Sequence, residues 1–290
     1  MKKVIISADD FGISESVNQA IIKAHREGIL TSTSLMVTGD AFESAIQLAK
    51  ENPRLGVGIH LVLVCGKSIL PHSEIPDLVN EDKNFSNSPT LAGMQYFMEK
   101  KSRLQLAKEI RAQFQKFKNT GFSCTHVDSH LHMHINPPIM TIVLNLMKEF
   151  GIPNCRIPDD DLNLSLRMDK AHYLRKVTHN IMFGKLAHHA KQKAQSKCIK
   201  FADKVYGLFQ TGEMNLDYTT HLLKHLPEGV SEIYFHPDFD PVRDYIKNKN
   251  SNKNQAISNG VDSCYDLINK NNPKMNIELE TLLNPNIKQV

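Results

Sequence analysis

The sequence lacks the signatures of several protein classes. None of its apolar runs approaches the roughly 20 residues that a membrane-spanning helix needs. Its five cysteines are scattered and form no CxxC pair, which argues against a dense disulfide framework and a thiolate metal site. No segment recurs at a period of roughly 20–50 residues, which argues against repeat architectures. A net charge of only +4 over 290 residues argues against nucleic acid as a partner.

Strand-like and helix-like patterns alternate along most of the chain. Apolar runs such as VIISADD and GVGIHLVLV predict buried strands, and residues 14–28 have the capping serine and terminal glycine of a helix. This alternation predicts an α/β protein with parallel strands and helices outside them. The length and the 41% hydrophobic fraction suit a single catalytic domain over residues 1–290, with long insertions at about 64–100 and 165–210.

The stretch THVDSHLHMH places one carboxylate and four imidazoles at alternate positions. If the stretch is an extended strand, these side chains share one face, and the other face is mostly apolar. The polar face could hold a metal ion together with groups that support its ligands. Its residues are His126, Asp128, His130, His132 and His134. The alternative is a hydrophilic, histidine-rich edge that binds nothing.

Five candidate functional residues lie at or near the carboxyl ends of predicted strands: Asp9, Asp10, His60, His130 and His236. In a barrel of parallel strands those ends converge on one face, where catalytic groups collect. Asp10, His60 and His130 would bind a divalent ion and leave positions open for water and substrate. Asp9 would stay free beside the ion as a general base. Alternatively, the aspartates cap a helix, and His60 and His236 are ordinary core histidines.

Four segments together resemble the YdjC-like carbohydrate deacetylases, the group that contains chitooligosaccharide deacetylase: SADDFGISESVNQAI, GVGIHLVL, THVDSHLHMH and EIYFHPDFD. The resemblance extends over most of the chain. It implies a distorted (β/α) barrel of the glycoside hydrolase/deacetylase type and hydrolytic removal of an N-acetyl group from an amino sugar. It also implies that Asp10, His60 and His130 bind the metal, that Asp9 is the catalytic base, and that His236 protonates the leaving amine.

Residues around this centre receive further expected roles. By the resemblance, Arg156 in CRIP matches a substrate-contacting position, and Phe11, directly after the aspartates, is a second candidate for substrate contact. His126 and Asp128 are candidates for supporting the metal ligands from behind. One divalent ion is expected, with magnesium or zinc first, and manganese or cobalt also compatible with these donors.

The substrate is left open between an acetylated oligosaccharide and an amino sugar linked to a lipid carrier. FADKVYGLFQTGEMN and LPEGVSEIYFHP look like the subgroup that includes hopanoid-biosynthesis-associated members and a lipid-linked amino-sugar deacetylase. In that subgroup the substrate is held at a membrane. We therefore expect a cytoplasmic protein that works in solution or at the inner face of the membrane, and a homodimer is compatible with the sequence.

A basic segment bears on this choice. Residues 165–200 contain nine Lys or Arg residues and one acid, Asp169. Apolar residues recur there at helical spacing, which is typical either of a basic amphipathic helix on anionic lipid or of a solvated helix with an apolar core face. The apolar positions are Leu174, Val177, Ile181, Leu186, Ala190 and Ala194.

Two other functions are compatible with the same residues. A metal-dependent phosphoesterase would also use Asp and His ligands, but it usually requires a second metal or more phosphate-binding arginines than we can place. A non-catalytic metal-binding protein would have no use for a free carboxylate such as Asp9 beside the ligands.

Overall fold

The computed structural model describes residues 1–239 and 275–289 and shows an α/β protein built on a parallel sheet. In this part of the chain, six strands lie in the order β4-β3-β2-β1-β6-β5, and every neighbouring pair is parallel. The strands are β1 Lys2–Phe11, β2 Ser32–Leu35, β3 Gly56–Leu61, β4 Val127–Ser129, β5 Lys204–Tyr206 and β6 Gly229–Phe235.

Helices connect the strands and pack with them in a shared apolar core. They are α1 Glu15–Glu27, α2 Phe42–Glu51, α3 Pro89–Met98, α4 Lys100–Asn119, α5 Pro137–Phe150, α6 Leu162–Met168, α7 Tyr173–Ser196, α8 Leu216–His225 and α9 Met275–Leu283, with 3-10 helices at His130–Ile135 and Pro285–Gln289. The helix predicted after Ser14 is confirmed, since the Ser14 hydroxyl accepts a hydrogen bond from the Val17 N–H and caps α1.

A short segment between α5 and α6 joins the two edges of the sheet. On one side, Val127 of β4 bridges Cys155; on the other, Asn154 bridges Lys200, shortly before β5. The Arg156 N–H donates to the Val127 carbonyl, and the Cys155 N–H donates to the Lys200 carbonyl. The expected α/β fold and distorted (β/α) barrel are therefore confirmed. CRIP forms isolated bridges rather than a full strand.

The histidine-rich stretch does not form the single extended strand that its alternation predicts. β4 ends at Ser129, and His130–Ile135 forms a 3-10 helix in which Leu131 and His132 have φ values of 52° and 55°. These left-handed values turn the chain sharply before the prolines that begin α5. The strand prediction was wrong because a period of two does not show where a strand leaves its sheet.

The inner face of the curled sheet is polar. The register places Ser7 beside both Ser32 and Tyr234, and His60 beside Asp128. Paired residues point to the same side of a sheet, so these polar groups face one another inside the barrel. Hydrogen bonds join them to further buried polar residues, namely Asp9, Ser34, Arg156 and Glu232. Burying so many polar groups is costly unless they are paired, and this network lies directly beneath the candidate site.

The two segments predicted as insertions both contain regular structure. Residues 64–100 include antiparallel bridges, Lys67 with Asn84 and Val79 with Phe85, followed by α3. Residues 165–210 include α7 and β5, so this segment also contributes one strand to the sheet. None of the described helices combines the length and the apolar content needed to cross a bilayer.

Candidate metal and catalytic site

The paired aspartates lie where β1 leaves the sheet. Asp10 has a φ of 65° and Gly12 a φ of 96°, both in the left-handed region. The Gly12 N–H donates to Asn18 Oδ1 at 2.7 Å, which ties this turn to α1. Consecutive strand residues point to opposite faces, so the change of conformation at Asp10 allows both carboxylates to serve one site. Asp9 is buried in the interior, whereas Asp10 is partly exposed.

The structure brings Asp10, His60 and His130 together, with their ligand atoms all within 4.8 Å of one another. Asp10 Oδ1 lies 3.3 Å from His60 Nε2 and 3.0 Å from His130 Nδ1. Donor atoms roughly 3.0–3.4 Å apart are what neighbouring ligands of one ion show when each metal bond is about 2.1 Å. The residues therefore fit a divalent ion. One carboxylate and two imidazoles suit a catalytic site with open positions rather than a closed structural site.

Asp128 fixes the orientation of the His60 ring. His60 Nδ1 donates to Asp128 Oδ1 at 2.7 Å, and Ser34 Oγ lies 3.0 Å from the same nitrogen. With Nδ1 donating, the lone pair on Nε2 of neutral His60 faces Asp10.

His60 and Asp10 each favour the charged form of the other at this point of the site. Burial alone lowers the pKa of His60, but the carboxylates of Asp128 and Asp10 outweigh it and raise that pKa to about 10. Burial alone raises the pKa of Asp10, but His130 and His60 together hold it well below its usual range. Either a proton on the His60 imidazole or a metal ion can balance the negative charge of the Asp10 carboxylate.

Arg156 is a buried cation beneath the metal ligands. Its Nη1 lies 2.6 Å from Asp9 Oδ2 and 2.8 Å from Asp128 Oδ2, and its Nη2 lies 2.8 Å from Glu232 Oε1. Its Nε also donates to Glu232 at 2.8 Å, and Nη2 donates to Ser7 at 3.0 Å. The Arg156 side chain is fully buried, so its polar contacts are to three carboxylates and the Ser7 hydroxyl rather than to solvent.

The position of Arg156 favours one of two sets of three residues that could hold a metal ion. Ligand atoms of Asp9, His60 and Asp128 lie close enough to one another to hold an ion as well. Burial opposes ionisation of Asp128, but Arg156 and His60 outweigh it and hold the pKa of Asp128 well below its usual range. Because the Arg156 guanidinium already contacts both carboxylates of this trio, Asp10, His60 and His130 are the better candidates for holding an ion.

His236 lies one residue beyond the end of β6. Phe235 pairs with Ala8, so His236 and Asp9 occupy neighbouring positions on adjacent strands. The backbone N–H of His236 donates to Glu278 of α9, and the His236 Nδ1 lies 4.0 Å from Glu278 Oε2. Glu278 is fully buried, and this burial raises the pKa of its carboxyl group.

Two other residues predicted for the site, His126 and Phe11, lie away from Asp10, His60 and His130. The His126 ring occupies the space where a Cβ of residue 58 would lie, 2.4 Å from that point, which explains the glycine at this position of β3. His126 Nε2 is 3.9 Å from Asp128 Oδ2, behind the carboxylate that orients His60. Phe11 is fully buried in the apolar core.

His132 and His134 support the turn that carries His130. His134 Nε2 donates to the Arg156 carbonyl at 2.8 Å, and its Nδ1 accepts from Ser129 Oγ at 2.7 Å. Burial lowers the pKa of His134 to about 4, so its ring is neutral at pH 7. His132 Nε2 lies 3.0 Å from the Tyr234 hydroxyl, and burial together with the charge of Arg156 lowers the pKa of His132 well below its usual value.

Sequence reasoning missed three residues of the site: Ser34, Glu232 and Glu278. Glu232 and Tyr234 alternate with apolar residues in SEIYFHP, and this period of two, continuing to His236, is a signal that could have identified Glu232. Ser34 lies in LTSTSL, where every residue from 31 to 34 is a serine or threonine and no alternation with apolar residues marks it. Glu278 lies in NIELETLL, where nothing distinguishes it from an ordinary helical glutamate.

Known proteins with sequences similar to this chain are named as deacetylases of carbohydrates. A carbohydrate deacetylase of Brevibacillus brevis is 43% identical over 151 residues, which are 52% of this chain and 58% of that protein. A chitooligosaccharide deacetylase of Salmonella paratyphi B is 39% identical over 153 residues, which are 51% of this chain and 57% of that protein. The matched regions thus span less than two thirds of these relatives.

Similarity to a solved structure covers nearly the entire fold. A crystal structure of a proposed cellobiose-phosphate cleavage protein from Enterococcus faecalis superimposes with a TM-score of 0.70 at 25% identity, covering 99% of this chain and 93% of that chain. The sequence profile of the YdjC-like protein family matches residues 3–290, a span that includes every residue of the candidate site. The chain belongs to the YdjC-like family.

Proposed function

We propose that this chain is a metal-dependent hydrolase that removes the N-acetyl group from an acetamido sugar. Water adds to the acetyl carbon, the C–N bond breaks, and acetate and a free amine are released. The observation that carries the proposal is the carboxylate of Asp9 beside three residues whose donors fit one divalent ion. The relatives named carbohydrate deacetylase and chitooligosaccharide deacetylase support this reaction.

Asp10, His60 and His130 would hold the ion, which we expect to be magnesium or zinc, with manganese or cobalt also compatible. The chemistry that a divalent ion would supply at these residues is polarisation of the acetamide carbonyl and activation of the attacking water. Ser34 and Asp128 contribute indirectly, because they hold the His60 ring with Nε2 toward Asp10.

Asp9 is the general base in this proposal. Its Oδ2 receives the strong contact from Arg156 Nη1 at 2.6 Å, and its Oδ1 accepts a weaker hydrogen bond from Ser34 Oγ at 3.3 Å. Arg156 stabilises the negative charge of this buried carboxylate, which is the form that accepts a proton. The weaker contact leaves Oδ1 as the oxygen that takes the proton of the attacking water.

His236 is the proposed general acid. Its register with Asp9 places it on the strand next to the base. Glu278 sets a carboxylate 4.0 Å from His236 Nδ1, beside the ring that must carry the proton. The proton goes to the departing nitrogen, because a neutral amine leaves far more readily than an amide anion.

The alternatives are less well supported by the same contacts. A phosphoesterase needs donors for the phosphate oxygens, but the N–H donors of Arg156 already face Asp9, Asp128, Glu232 and Ser7. A non-catalytic metal-binding protein leaves the oriented carboxylate of Asp9 without a role. We propose that the substrate sugar is borne on an oligosaccharide or on a lipid carrier, and that the reaction occurs in the cytoplasm or at the inner face of the membrane.

Acetate release is the direct test. The substrates are N-acetylglucosamine oligomers, N-acetylgalactosamine derivatives and polyprenyl-phosphate-linked acetamido sugars, each with and without a chelator. Release of acetate that the chelator abolishes and a divalent ion restores is the expected result. Phosphate release from sugar phosphates in place of acetate would reject the proposal in favour of a phosphoesterase.

The Asp9→Asn variant tests the role of the base. It should lower kcat by about 10²–10⁴-fold, the usual contribution of a general base, while calorimetry shows unchanged ion binding. Asp40→Asn is the matched control, an equally conservative change at an exposed aspartate paired with Lys67, and it should alter neither quantity. Near wild-type turnover in Asp9→Asn would show that another group takes the proton.

A further inference from the structure

The first half of α7 exposes apolar side chains on the face opposite to its packing face. Leu174 is 76% exposed and Ile181 is 57% exposed, whereas Ala187, Ala190 and Ala194 are buried. A helix turns by about 100° per residue, so Leu174 and Ile181 project to nearly the same side, away from these alanines. Of the apolar positions predicted along this helix, Ala190 and Ala194 therefore pack against the protein, whereas Leu174 and Ile181 face solvent.

α3 exposes a second group of apolar side chains. More than half of the surface of each of four residues is accessible: Leu91, Met94, Phe97 and Met98. The helix itself contains no charged residue. Single exposed apolar residues are ordinary, but four on one short helix form the kind of patch that marks an interaction surface.

Both helices border the turn that carries the metal ligand His130. The Gly93 carbonyl of α3 accepts a 2.9 Å hydrogen bond from Asn136, the residue after this turn. On the other side, the Phe183 ring of α7 lies 6.1 Å from the His132 ring, within the turn. α3 and α7 thus both contact the element that supplies His130, and their exposed apolar side chains lie on the helix faces opposite to these contacts.

Charge distinguishes between the possible occupants of this surface. α7 contains five Lys or Arg residues and no Asp or Glu, and among them Arg175 and Lys185 are exposed. α3 is followed by Glu99 and then by Lys100 and Lys101, all three exposed, and Lys101 pairs with Asp77, so the basic charge of this surface lies mainly on α7. A second copy of the chain on α7 would bring two basic helices together, whereas anionic lipid headgroups would balance their charge.

We propose that α3 and α7 form a docking surface for an anionic phospholipid bilayer, made of Leu91, Met94, Phe97, Met98, Leu174 and Ile181. The apolar side chains enter the boundary between headgroups and acyl chains, and the neighbouring basic side chains contact the headgroups. Docking would bring the His130 turn to the membrane, where it could meet a lipid-borne amino sugar. Only this last step rests on the proposed function.

Vesicle flotation of the full chain tests the docking surface. Vesicles of phosphatidylglycerol and phosphatidylethanolamine are compared with phosphatidylcholine vesicles, at low and at high salt. We expect binding to the anionic vesicles that weakens as salt rises. Leu174→Ser/Ile181→Ser should reduce the bound fraction about tenfold or more, and Arg175→Glu/Lys185→Glu should remove the salt-sensitive part. Val4→Ser, at an apolar residue that is 42% exposed at the other end of β1, is the matched control and should bind like wild type.

Three outcomes would overturn the proposal: no flotation with anionic vesicles at low salt, equal flotation of wild type and Leu174→Ser/Ile181→Ser, or a wild-type oligomer that this double variant converts to monomer in light scattering. The last outcome would assign the surface to a second copy of the chain. Acetate release from soluble N-acetylglucosamine oligomers is measured in parallel and should not change in the double variant. Flotation without any acetate release would reject the proposed function and leave the docking surface standing.

Discussion

Replacement of Arg156 with methionine tests the buried charge network most directly. The change keeps much of the side-chain length but removes the cation that faces Asp9, Asp128 and Glu232 inside the barrel. Removing one partner of a buried ion pair typically costs about 3–5 kcal/mol, because the other charge is left uncompensated. We therefore expect the free energy of unfolding at pH 7 to fall by about 3–5 kcal/mol.

Protonation limits this penalty and makes it depend on pH. Adding a proton to a carboxyl group with an ordinary pKa of about 4 costs about 4 kcal/mol at pH 7, but only about 1.5 kcal/mol at pH 5. In Arg156→Met, a stranded carboxylate can be neutralised at this cost. In the wild type Arg156 keeps the pKa of Asp128 low, so no such proton is taken up. The destabilisation should therefore be smaller by about 1–3 kcal/mol at pH 5 than at pH 7.

Urea unfolding of chelator-treated protein at both pH values measures these differences. Arg111→Met is the matched control, because Arg111 forms an exposed pair with Glu149 and should cost at most about 1 kcal/mol. Arg156→Met/Glu232→Gln should be more stable than Arg156→Met alone, since one stranded charge is removed. A loss for Arg156→Met as small as that of the control, or a loss independent of pH, would refute the reasoning.

Three further measurements test the site and its supports. In Asp10→Asn, the asparagine tolerates the φ of 65° at this position but lacks the charge of the proposed carboxylate ligand. Calorimetry should therefore show ion binding at least about 100-fold weaker, with an unchanged circular dichroism spectrum. His134 has a pKa of about 4 in the folded protein, below the value of about 6.5 for an unperturbed histidine, so the unfolded chain binds this proton first as the pH falls. The free energy of unfolding should therefore be largest above about pH 6.5 and fall by about 3 kcal/mol toward pH 4. A free energy of unfolding in urea that stays constant over this pH range would contradict this. Glu278→Gln should slow acetate release about tenfold with unchanged ion affinity, because it removes the carboxyl group that lies 4.0 Å from Nδ1 of His236, the proposed general acid.

The meeting of Asp10, His60 and His130 could be predicted from the sequence because its signals are local. Asp10 and His60 each lie near the carboxyl end of an apolar run that reads as a strand, and His130 closely follows such a run. Parallel strands bring those ends to one edge, so three separate local signals point to one place. The prediction that these residues meet did not depend on the exact conformation of the histidine-rich stretch. It holds even though His130 lies in a 3-10 turn rather than in a strand.

The network beneath the trio could not be predicted in the same way. The position of Arg156 depends on closure of the barrel, because residues 154–156 reach the interior only by bridging both β4 and the chain before β5. Likewise, Glu278 approaches His236 only because α9 packs across a large separation in sequence. Such pairings leave no periodic trace in either segment, so only the assembled fold shows them.

The two adjacent aspartates have different counter-charges. Asp9 is balanced by Arg156, whose guanidinium does not lose its proton in proteins, so this compensation is permanent. Asp10 faces His60 and His130. Its negative charge is balanced by a proton on the His60 ring or by an ion that can exchange. The left-handed conformation of Asp10 separates the two carboxylates into these environments within a single step of the chain. An ion can therefore enter or leave beside Asp10 while the buried charge of Asp9 remains paired, and the carboxylate proposed as the base keeps its orientation in both states.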